Sequence, residues 1–239
     1  MKFKHTRALL ALSAALIAGQ VHAAPWTFST SGTVGYGYDT TGYFGGTAGQ
    51  TYDLTGSAFT LTTTIDPSLF STQVSVSNAQ YAYGNNTAFS ETVTVNGISK
   101  TYNVSNISNG ETYLANYISQ SLGNYDQAFQ YQYGTTASGT YVAGVQYVLS
   151  YVNAIGLGLG YDQTWSYTPQ NDDYQYSYFD SSDNNGETYL LTEGGAYKYA
   201  GTITNISING GNNVPEPGSI ALVSLALLGL GAMRRKNKA

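Results

Sequence analysis

Residues 58–66 read Ala-Phe-Thr-Leu-Thr-Thr-Thr-Ile-Asp, and this stretch decides the fold class. Its side chains alternate in type with a period of two, which is the period of a β-strand that buries one face. The alternation places Phe59, Leu61, Thr63 and Ile65 on one face and Thr60, Thr62 and Thr64 on the other. Asp66-Pro67 ends the run, so we predict one strand with an apolar face and a hydroxylated face.

A β-hairpin is predicted next, over residues 92–102. Val93 and Val95 lead into Asn96-Gly97, the residue pair that most readily adopts the positive φ angles of a type I′ turn. Ile98 and Tyr102 then resume the strand pattern. This is the strongest local structural signal in the chain.

Between its two ends the chain has the residue usage of an all-β domain, with all 23 of its tyrosines and most of its 28 glycines. Further strands are predicted at 26–34, 73–77, 79–83, 141–152, 164–168, 175–179, 188–192 and 197–208. One helix is predicted near 110–122, because Ser108 and Glu111 have capping-box spacing and Gly123 follows as a stop. We therefore expect one β-sandwich or jelly-roll-like domain over 24–213 with at most one short helix.

Both ends of the chain look like targeting segments. Lys2, Lys4 and Arg7 precede an apolar stretch at 8–18, and Val21-His22-Ala23 has the small residues that signal peptidase reads. We predict a signal peptide over 1–23, with a signal helix and cleavage between Ala23 and Ala24. An N-terminal membrane anchor is the alternative, but the apolar stretch is shorter than the ~20 residues that span a bilayer.

The other end has three parts in a fixed order over 214–239. Val214-Pro215-Glu216-Pro217 comes first, an uncharged run over 218–233 follows, and a basic cluster ends the chain. The cluster consists of Arg234, Arg235, Lys236 and Lys238. The run makes a transmembrane helix of ~24 Å, short for a ~30 Å hydrocarbon core, with its basic end in the cytoplasm as a stop. A plain tail anchor is the alternative reading.

This order resembles the PEP-CTERM sorting signal of exported bacterial proteins. The segment from Ser31 to Phe59 is also similar to a front module of other exported PEP-CTERM proteins. The resemblance implies an exosortase-type transpeptidase as a partner besides signal peptidase, and transient residence in the inner membrane through the C-terminal helix. It also implies a final place in the outer envelope, at the cell surface or in the extracellular matrix. Glycosylation is a further implication, with Asn-x-Ser/Thr triplets at Asn85, Asn103, Asn106 and Asn205.

Charge and residue absences restrict the chemistry of the predicted domain. Between residues 24 and 217, two lysines face all fourteen acidic residues, a formal charge of −12 that disfavours nucleic acid and anionic membranes. The chain has no cysteine, and both histidines, His5 and His22, lie in the predicted leader. Triad hydrolases, zinc sites and thiol chemistry therefore have no side chains to use.

Two groups of residues are candidates for ligand binding. Asp180, Asp183 and Glu187 belong to an acidic segment whose oxygens suit calcium, although an acidic solvated loop is the favoured explanation. Tyrosines set among Asn, Gln and Asp at 124–133 and 167–179 suit neutral sugars, which stack on rings and bond to amides. The alternatives for these tyrosines are plain filling of sheet faces or self-association of strands.

Function is then expected from two classes. The first is a non-enzymatic structural or adhesive protein, sorted to the surface and acting in exopolysaccharide or biofilm. The second is a carbohydrate-binding module that recognises exopolysaccharide through tyrosine-rich surfaces. A glycosidase is disfavoured because no spacing singles out one carboxylate pair and only Lys100 and Lys198 are available as cations. No cofactor is expected other than the calcium already named.

Overall fold

The computed structural model describes residues 25–66, 72–76, 79–83, 88–106, 126–150, 164–170, 172–194 and 202–209. All of them belong to one compact unit, Pro25–Gly211. The described residues form β-strands and connecting turns without a helix, which confirms the all-β prediction. The strands are β1 (Trp26–Thr33), β2 (Tyr36–Asp39), β3 (Tyr52–Asp53), β4 (Ala58–Ile65), β5 (Thr72–Val76), β6 (Ala79–Tyr83), β7 (Phe89–Val95), β8 (Ile98–Asn106), β9 (Asp126–Thr136), β10 (Tyr141–Ser150), β11 (Thr164–Tyr167), β12 (Tyr174–Asp183), β13 (Gly186–Gly194) and β14 (Thr202–Asn209).

Twelve of these strands form one antiparallel sheet in the order β11-β14-β1-β4-β7-β8-β9-β10-β12-β13-β2-β3, and β5 pairs only with β6. Some neighbours along the chain pair as hairpins, as in β7-β8 and β12-β13, whereas β1 and β2 are joined by two residues and do not pair with each other. The first and last long strands also pair, with Phe28 opposite Ile208. This pairing ties the two ends of the domain together.

The large sheet folds over so that its inner face encloses the core, as in a β-sandwich. Strands β11, β14, β1, β4, β7 and β8 make the first layer, and β9, β10, β12, β13, β2 and β3 make the second. Thr30 of β1 donates a hydrogen bond of 2.7 Å to Gln146 of β10, across 116 residues of sequence. The rings of Tyr102 on β8 and Phe179 on β12 also meet, with centroids 5.5 Å apart.

The apolar half of the interior follows from the period of two. On β4 the residues Phe59, Leu61 and Ile65 are buried, as their alternation predicts. They belong to one cluster with side chains from both layers, namely Trp26, Phe28, Val93, Val95, Tyr102, Val104, Ala128, Val142, Val148, Phe179, Leu190, Ile203, Ile206 and Ile208. Removal of these side chains from water is the main favourable contribution to folding.

The centre of the interior is polar. Thr63 of β4 is buried among one carboxyl group and three amides, supplied by Glu91, Gln130, Gln132 and Gln146. Its hydroxyl lies 2.9 Å from Glu91 Oε2 and 3.1 Å from Gln130 Oε1. It also accepts hydrogen bonds from Gln132 Nε2 at 2.9 Å and Gln146 Nε2 at 3.0 Å. We call these five residues the buried polar cluster.

The outer face of the first layer is hydroxylated. Its hydroxyl groups pair across strands, as in Ser29 with Thr62 at 2.8 Å and Thr92 with Thr101 at 2.9 Å. At the edge, Asn205 of β14 donates to Ser166 of β11 at 2.9 Å. This layer therefore presents an uncharged surface to solvent, as the Thr60-Thr62-Thr64 pattern predicts.

The predicted hairpin is confirmed in detail. Asn96 has a φ of 49° and Gly97 a φ of 83°, the positive values that a type I′ turn needs. The two strands continue outward in register, with Val95 opposite Ile98 and Phe89 opposite Val104. They extend three residues before and four after the predicted bounds.

The other predicted strands form within the described residues, and their predicted parts at 77, 151–152 and 197–201 lie outside them. Three strands were missed. Strands β2, β3 and β9 had no strand prediction, and β12 and β13 are longer than expected. Strand β9 alternates tyrosine or phenylalanine with buried glutamine, so its inner face does not look apolar in sequence. The predicted helix near 110–122 and the two terminal helices lie outside the described residues.

Glu91 makes stability depend on pH. Burial raises the pKa of this carboxyl from 4.5 to about 8, although hydrogen bonds from Thr63 and Gln132 oppose the shift. Between these two pH values the folded protein holds a proton that the unfolded chain has released, so the free energy of unfolding falls as pH rises. We expect a loss of at most roughly 1.4 kcal/mol per pH unit in that window, and little change below or above it.

Urea denaturation from pH 4 to pH 9 measures this slope. Replacement E91Q keeps the shape and removes the titrating group, so its unfolding free energy should be nearly flat over the same window. D183N is the matched control, since it removes a carboxylate from an exposed turn, and should keep the slope of the natural protein. Equal slopes in E91Q and the natural protein would contradict the assignment.

Replacement of Gly97 should destabilise the protein because of the backbone conformation at this position. An added Cβ would meet no atom within 4 Å, so the cost of G97A arises from the φ of +83° alone. We expect a loss of ~1–2 kcal/mol in unfolding free energy, measured by urea denaturation. N96G is the control, because glycine adopts the positive φ of Asn96 readily and should cost less than G97A.

Candidate functional site

The outer face of the second layer is covered with tyrosine. The outward positions of β2, β9, β10, β12 and β13 supply Tyr36, Tyr38, Phe129, Tyr131, Tyr133, Tyr141, Tyr147, Tyr174, Tyr176, Tyr178 and Tyr189. Each of these aromatic residues alternates with a buried residue on its strand, so the period of two directs them all outward. We call this surface the tyrosine face.

One end of the tyrosine face contains four rings in mutual contact. Tyr38 and Tyr189 stack with centroids 5.7 Å apart and planes inclined by only 10°. Tyr178 meets Tyr189 edge to face at 5.3 Å, and Tyr36 meets Tyr189 at 5.9 Å. Tyr36 is 57% exposed, so one ring of this group projects freely into solvent.

The other end of the face has a second aromatic group. Tyr147 of β10 lies between Phe129 of β9 and Tyr174 of β12, with both centroids 5.7 Å away. Tyr131 and Tyr133 adjoin it at 5.5 Å from one another. Contacts of this kind hold the rings in place before any ligand arrives.

Carboxylates are set among the rings and change their acidity. Glu187 Oε2 accepts a hydrogen bond of 2.8 Å from the Tyr38 hydroxyl, and this bond is the main reason that the pKa of Tyr38 is raised to about 12. Asp180 Oδ2 accepts from the Tyr178 hydroxyl at 3.1 Å. Partial burial raises the pKa of Asp180, and the nearby charge of Glu187 raises it further.

The same arrangement recurs at the second aromatic group. Tyr174 donates a hydrogen bond of 2.9 Å to Glu193 Oε1. Burial, followed by this bond, raises the pKa of Tyr174 to about 12. Each aromatic group therefore presents ring faces next to a fixed carboxylate acceptor, and the phenols of Tyr38 and Tyr174 stay protonated at neutral pH.

The acidic residues that suggested a calcium site lie in separate parts of the fold. Asp180 and Glu187 lie on the tyrosine face, whereas Asp183 is in the β12-β13 turn and accepts a hydrogen bond of 2.7 Å from the Asn185 amide. Asp173 is buried, and it accepts hydrogen bonds from the Tyr167 hydroxyl and from the Gln170 backbone amide. Among the described residues, no three acidic or histidine side chains converge as metal ligands would.

The two tyrosine tracts noted in the sequence contribute only part of the face. From 124–133 the outward rings are Phe129, Tyr131 and Tyr133, and from 167–179 they are Tyr174, Tyr176 and Tyr178. Tyr167 instead packs against the core. Tyr36, Tyr38 and Tyr189 were missed, because their strands are far apart in sequence and their alternation with glycine, aspartate and leucine is short.

Comparison with known families identifies a motif in the C-terminal segment. Residues 213–236 match the family model of the PEP-CTERM protein-sorting motif. The chain carries a PEP-CTERM sorting motif. No curated protein and no solved structure matched the chain.

The PEP-CTERM match contains most of the residues predicted to act in sorting. It includes Val214 to Pro217 and the basic residues Arg234, Arg235 and Lys236, with Lys238 just beyond it. It supports an exported protein that an exosortase-type system processes and sorts to the cell surface. The sorting residues and the predicted Ala23-Ala24 cleavage site lie outside the described residues. Within the described part of the chain, no helix is long and apolar enough to span a membrane.

The bond between Tyr38 and Glu187 can be tested by titration. In E187Q the carboxylate is absent, so the pKa of Tyr38 should fall below 12, while its partial burial keeps it above the ordinary 10.0. Ultraviolet absorbance titration should then show one tyrosine ionising earlier than in the natural protein. D183N removes a carboxylate from the same hairpin without touching Tyr38 and should leave the curve unchanged. Identical curves for all three proteins would refute the contact.

Proposed function

We propose that this PEP-CTERM protein is a non-enzymatic adhesive component of the cell surface or extracellular matrix, and that it binds exopolysaccharide through the tyrosine face. The observation that carries the proposal is the collection of rings and carboxylates on one outer face of the domain. Neutral sugars have apolar C–H faces that stack on aromatic rings, and hydroxyl groups that bond to fixed acceptors. The tyrosine face offers both kinds of group side by side.

The contrast between the two outer faces supports this choice of site. On the first layer the hydroxyl groups already bond to one another, as in Thr94 with Ser99 at 2.8 Å, and among its described residues only Ile98 exposes a large apolar side chain. On the second layer, Tyr36 and Tyr141 are 57% and 39% exposed, so their rings are open to a partner.

Charge supports a neutral rather than an anionic polysaccharide. The tyrosine face contains Asp180, Glu187 and Glu193, and it has no basic side chain among the described residues. Anionic sugars such as uronates would be repelled by these carboxylates, whereas uncharged hydroxyl groups would bond to them. The ligand class is therefore proposed to be neutral hexose-based polymers.

A purely structural role is the alternative function. In that case the tyrosine face would stabilise the sheet, through cross-strand contacts such as Tyr38 with Tyr189, without binding any glycan. The two functions differ in one observable, which is saturable binding to purified exopolysaccharide.

Titration of the natural protein with exopolysaccharide from its own cells, followed by tyrosine fluorescence and calorimetry, tests the proposal. Y36A should weaken binding by roughly two- to tenfold, because stacking on one ring contributes about 0.5–1.5 kcal/mol beyond area burial. Y43A is the matched control, since Tyr43 is similarly exposed but lies in the 40–51 loop, where Lys100 Nζ sits 3.8 Å from its ring centroid. Y43A should bind as the natural protein does.

Three outcomes would count against glycan binding. Absence of saturable binding by the natural protein would favour the purely structural role. Equal weakening by Y36A and Y43A would show that the tyrosine face is not the site. Tighter binding to an acidic polymer than to a neutral one would refute the proposed ligand class.

A further inference from the structure

A hydroxyl nucleophile, a carboxyl group and a carboxamide meet in the buried polar cluster. Thr63 Oγ1 lies 2.9 Å from Gln132 Nε2 and 2.9 Å from Glu91 Oε2. Gln132 Nε2 is itself in contact with Glu91 Oε2. All three side chains are buried, at 0%, 0% and 1% exposure. The three groups thus form a closed triangle between the two layers.

The hydrogen bonds within this cluster leave some of its polar atoms without a partner. Thr63 has one hydroxyl proton, yet it faces both Glu91 oxygens and Gln130 Oε1 as acceptors. The oxygen of Gln132 and the amide nitrogen of Gln130 are buried without any partner. Buried polar groups are normally paired, and unpaired ones mark strain, a bound water or ion, or a reactive site. Two unpaired amide atoms within one cluster fit the last of these.

Among the described residues, no basic side chain pairs with the buried carboxyl group of Glu91. In the described part of the chain Lys100 is the one basic residue, and its ammonium lies over the ring of Tyr43. Glu91 therefore stays in its neutral acid form at neutral pH, because burial without a cation raises its pKa. A neutral carboxylic acid can give one proton and accept another in the same step.

We propose that Thr63 and Gln132 join in an intramolecular ester cross-link, formed by the protein itself with Glu91 as the acid-base group. Thr63 Oγ1 attacks the side-chain carbonyl carbon of Gln132 and transfers its proton to Glu91 Oε1, 3.1 Å away. Glu91 Oε2 gives its own proton to Gln132 Nε2. The C–O bond forms, the C–N bond breaks, and ammonia leaves. Glu91 ends in its starting form, and no oxidant or other reactant is consumed.

The surroundings favour this reaction over hydrolysis. Gly144 of β10 lies directly beside the triangle, and an added Cβ there would be 2.7 Å from Gln132 Nε2 and 3.3 Å from the Glu91 carboxyl carbon. Glycine thus permits the close approach of the reacting groups. Complete burial of the three groups restricts access of the water that would otherwise compete with Thr63 or cleave the ester.

The cross-link has a clear structural consequence. Thr63 is on β4 in the first layer, and Gln132 is on β9 in the second, 69 residues away in sequence. A covalent bond between them closes a long loop and restricts the unfolded chain, as a disulfide would. The chain has no cysteine, so this ester would supply an exported domain with a staple that reductants do not open.

Trypsin provides a direct test on the full-length natural protein. Between Arg7 and Arg234 the only cleavage sites follow Lys100 and Lys198, so digestion in denaturant separates the fragment with Thr63 from the fragment with Gln132. With the ester present, the two fragments should stay together, and their joint mass should be lower than the sum by one ammonia. Alkaline hydroxylamine should then release them and leave a hydroxamate on Gln132.

Variants assign the residues. T63V removes the nucleophile and should give two separate fragments, whereas T63S retains a hydroxyl and should remain linked. E91Q should reduce the linked fraction at least tenfold after a fixed time of folding, in the range found for loss of a general acid-base group. These readouts are independent of glycan binding, so a failure here leaves the adhesive function untouched.

Two results would overturn the proposal. Separate fragments of unaltered mass from the natural protein would show that no cross-link forms, whatever the variants do. Linkage mapped to Gln130 or Gln146 instead of Gln132 would show that the assigned pair is wrong. The first result needs no variant, so a misfolded T63V protein would not prevent a decision.

Discussion

Burial of Glu91 between the two layers is the constraint on which the rest of the interior depends. A carboxyl group removed from water is tolerated only when neighbouring dipoles surround it or when it keeps its proton. Thr63 from β4 and the Gln132 amide from β9 provide those dipoles, and the carboxyl group keeps its proton at neutral pH. The first layer supplies the acid and hydroxyl, and the second layer supplies the amides. Neither layer could bury its share alone.

This polar centre also fixes how the single sheet folds over. Apolar side chains pack in many arrangements of similar energy, whereas hydrogen bonds such as Thr30 to Gln146 require one alignment of β1 against β10. The apolar side chains around the buried polar cluster then supply most of the stabilisation. The buried polar cluster selects the alignment of the two layers. Proximity of Thr63 to Gln132 is a product of the same alignment, and the proposed ester would make it permanent.

The two outer faces show how a period of two divides chemistry between the sides of a folded sheet. On the first layer the outward residues are chiefly serine, threonine and asparagine, and they bond to one another. On the second layer the outward residues are chiefly tyrosine with carboxylates between them. A surface protein with these two faces would have one side for hydration and one for partners. The sorting motif at 213–236 delivers such a domain to the surface, and the adhesive proposal follows from the face it would present there.

The sequence by itself determined the features that depend on neighbouring residues. The strand at 58–65, the turn at Asn96-Gly97 and the sorting motif are all read from adjacent positions, because alternation, turn geometry and motif order are local properties. Strand β9 was not predicted, because its inner residues include glutamines. Glutamine indicates a buried position only when a hydrogen-bond partner for its amide is known. The tyrosine face and the buried polar cluster were decided by the tertiary structure alone. Tyr38 and Tyr189 are 151 residues apart and meet only because β2 pairs with β13. Thr63 and Gln132 are 69 residues apart and meet only because the sheet folds onto itself.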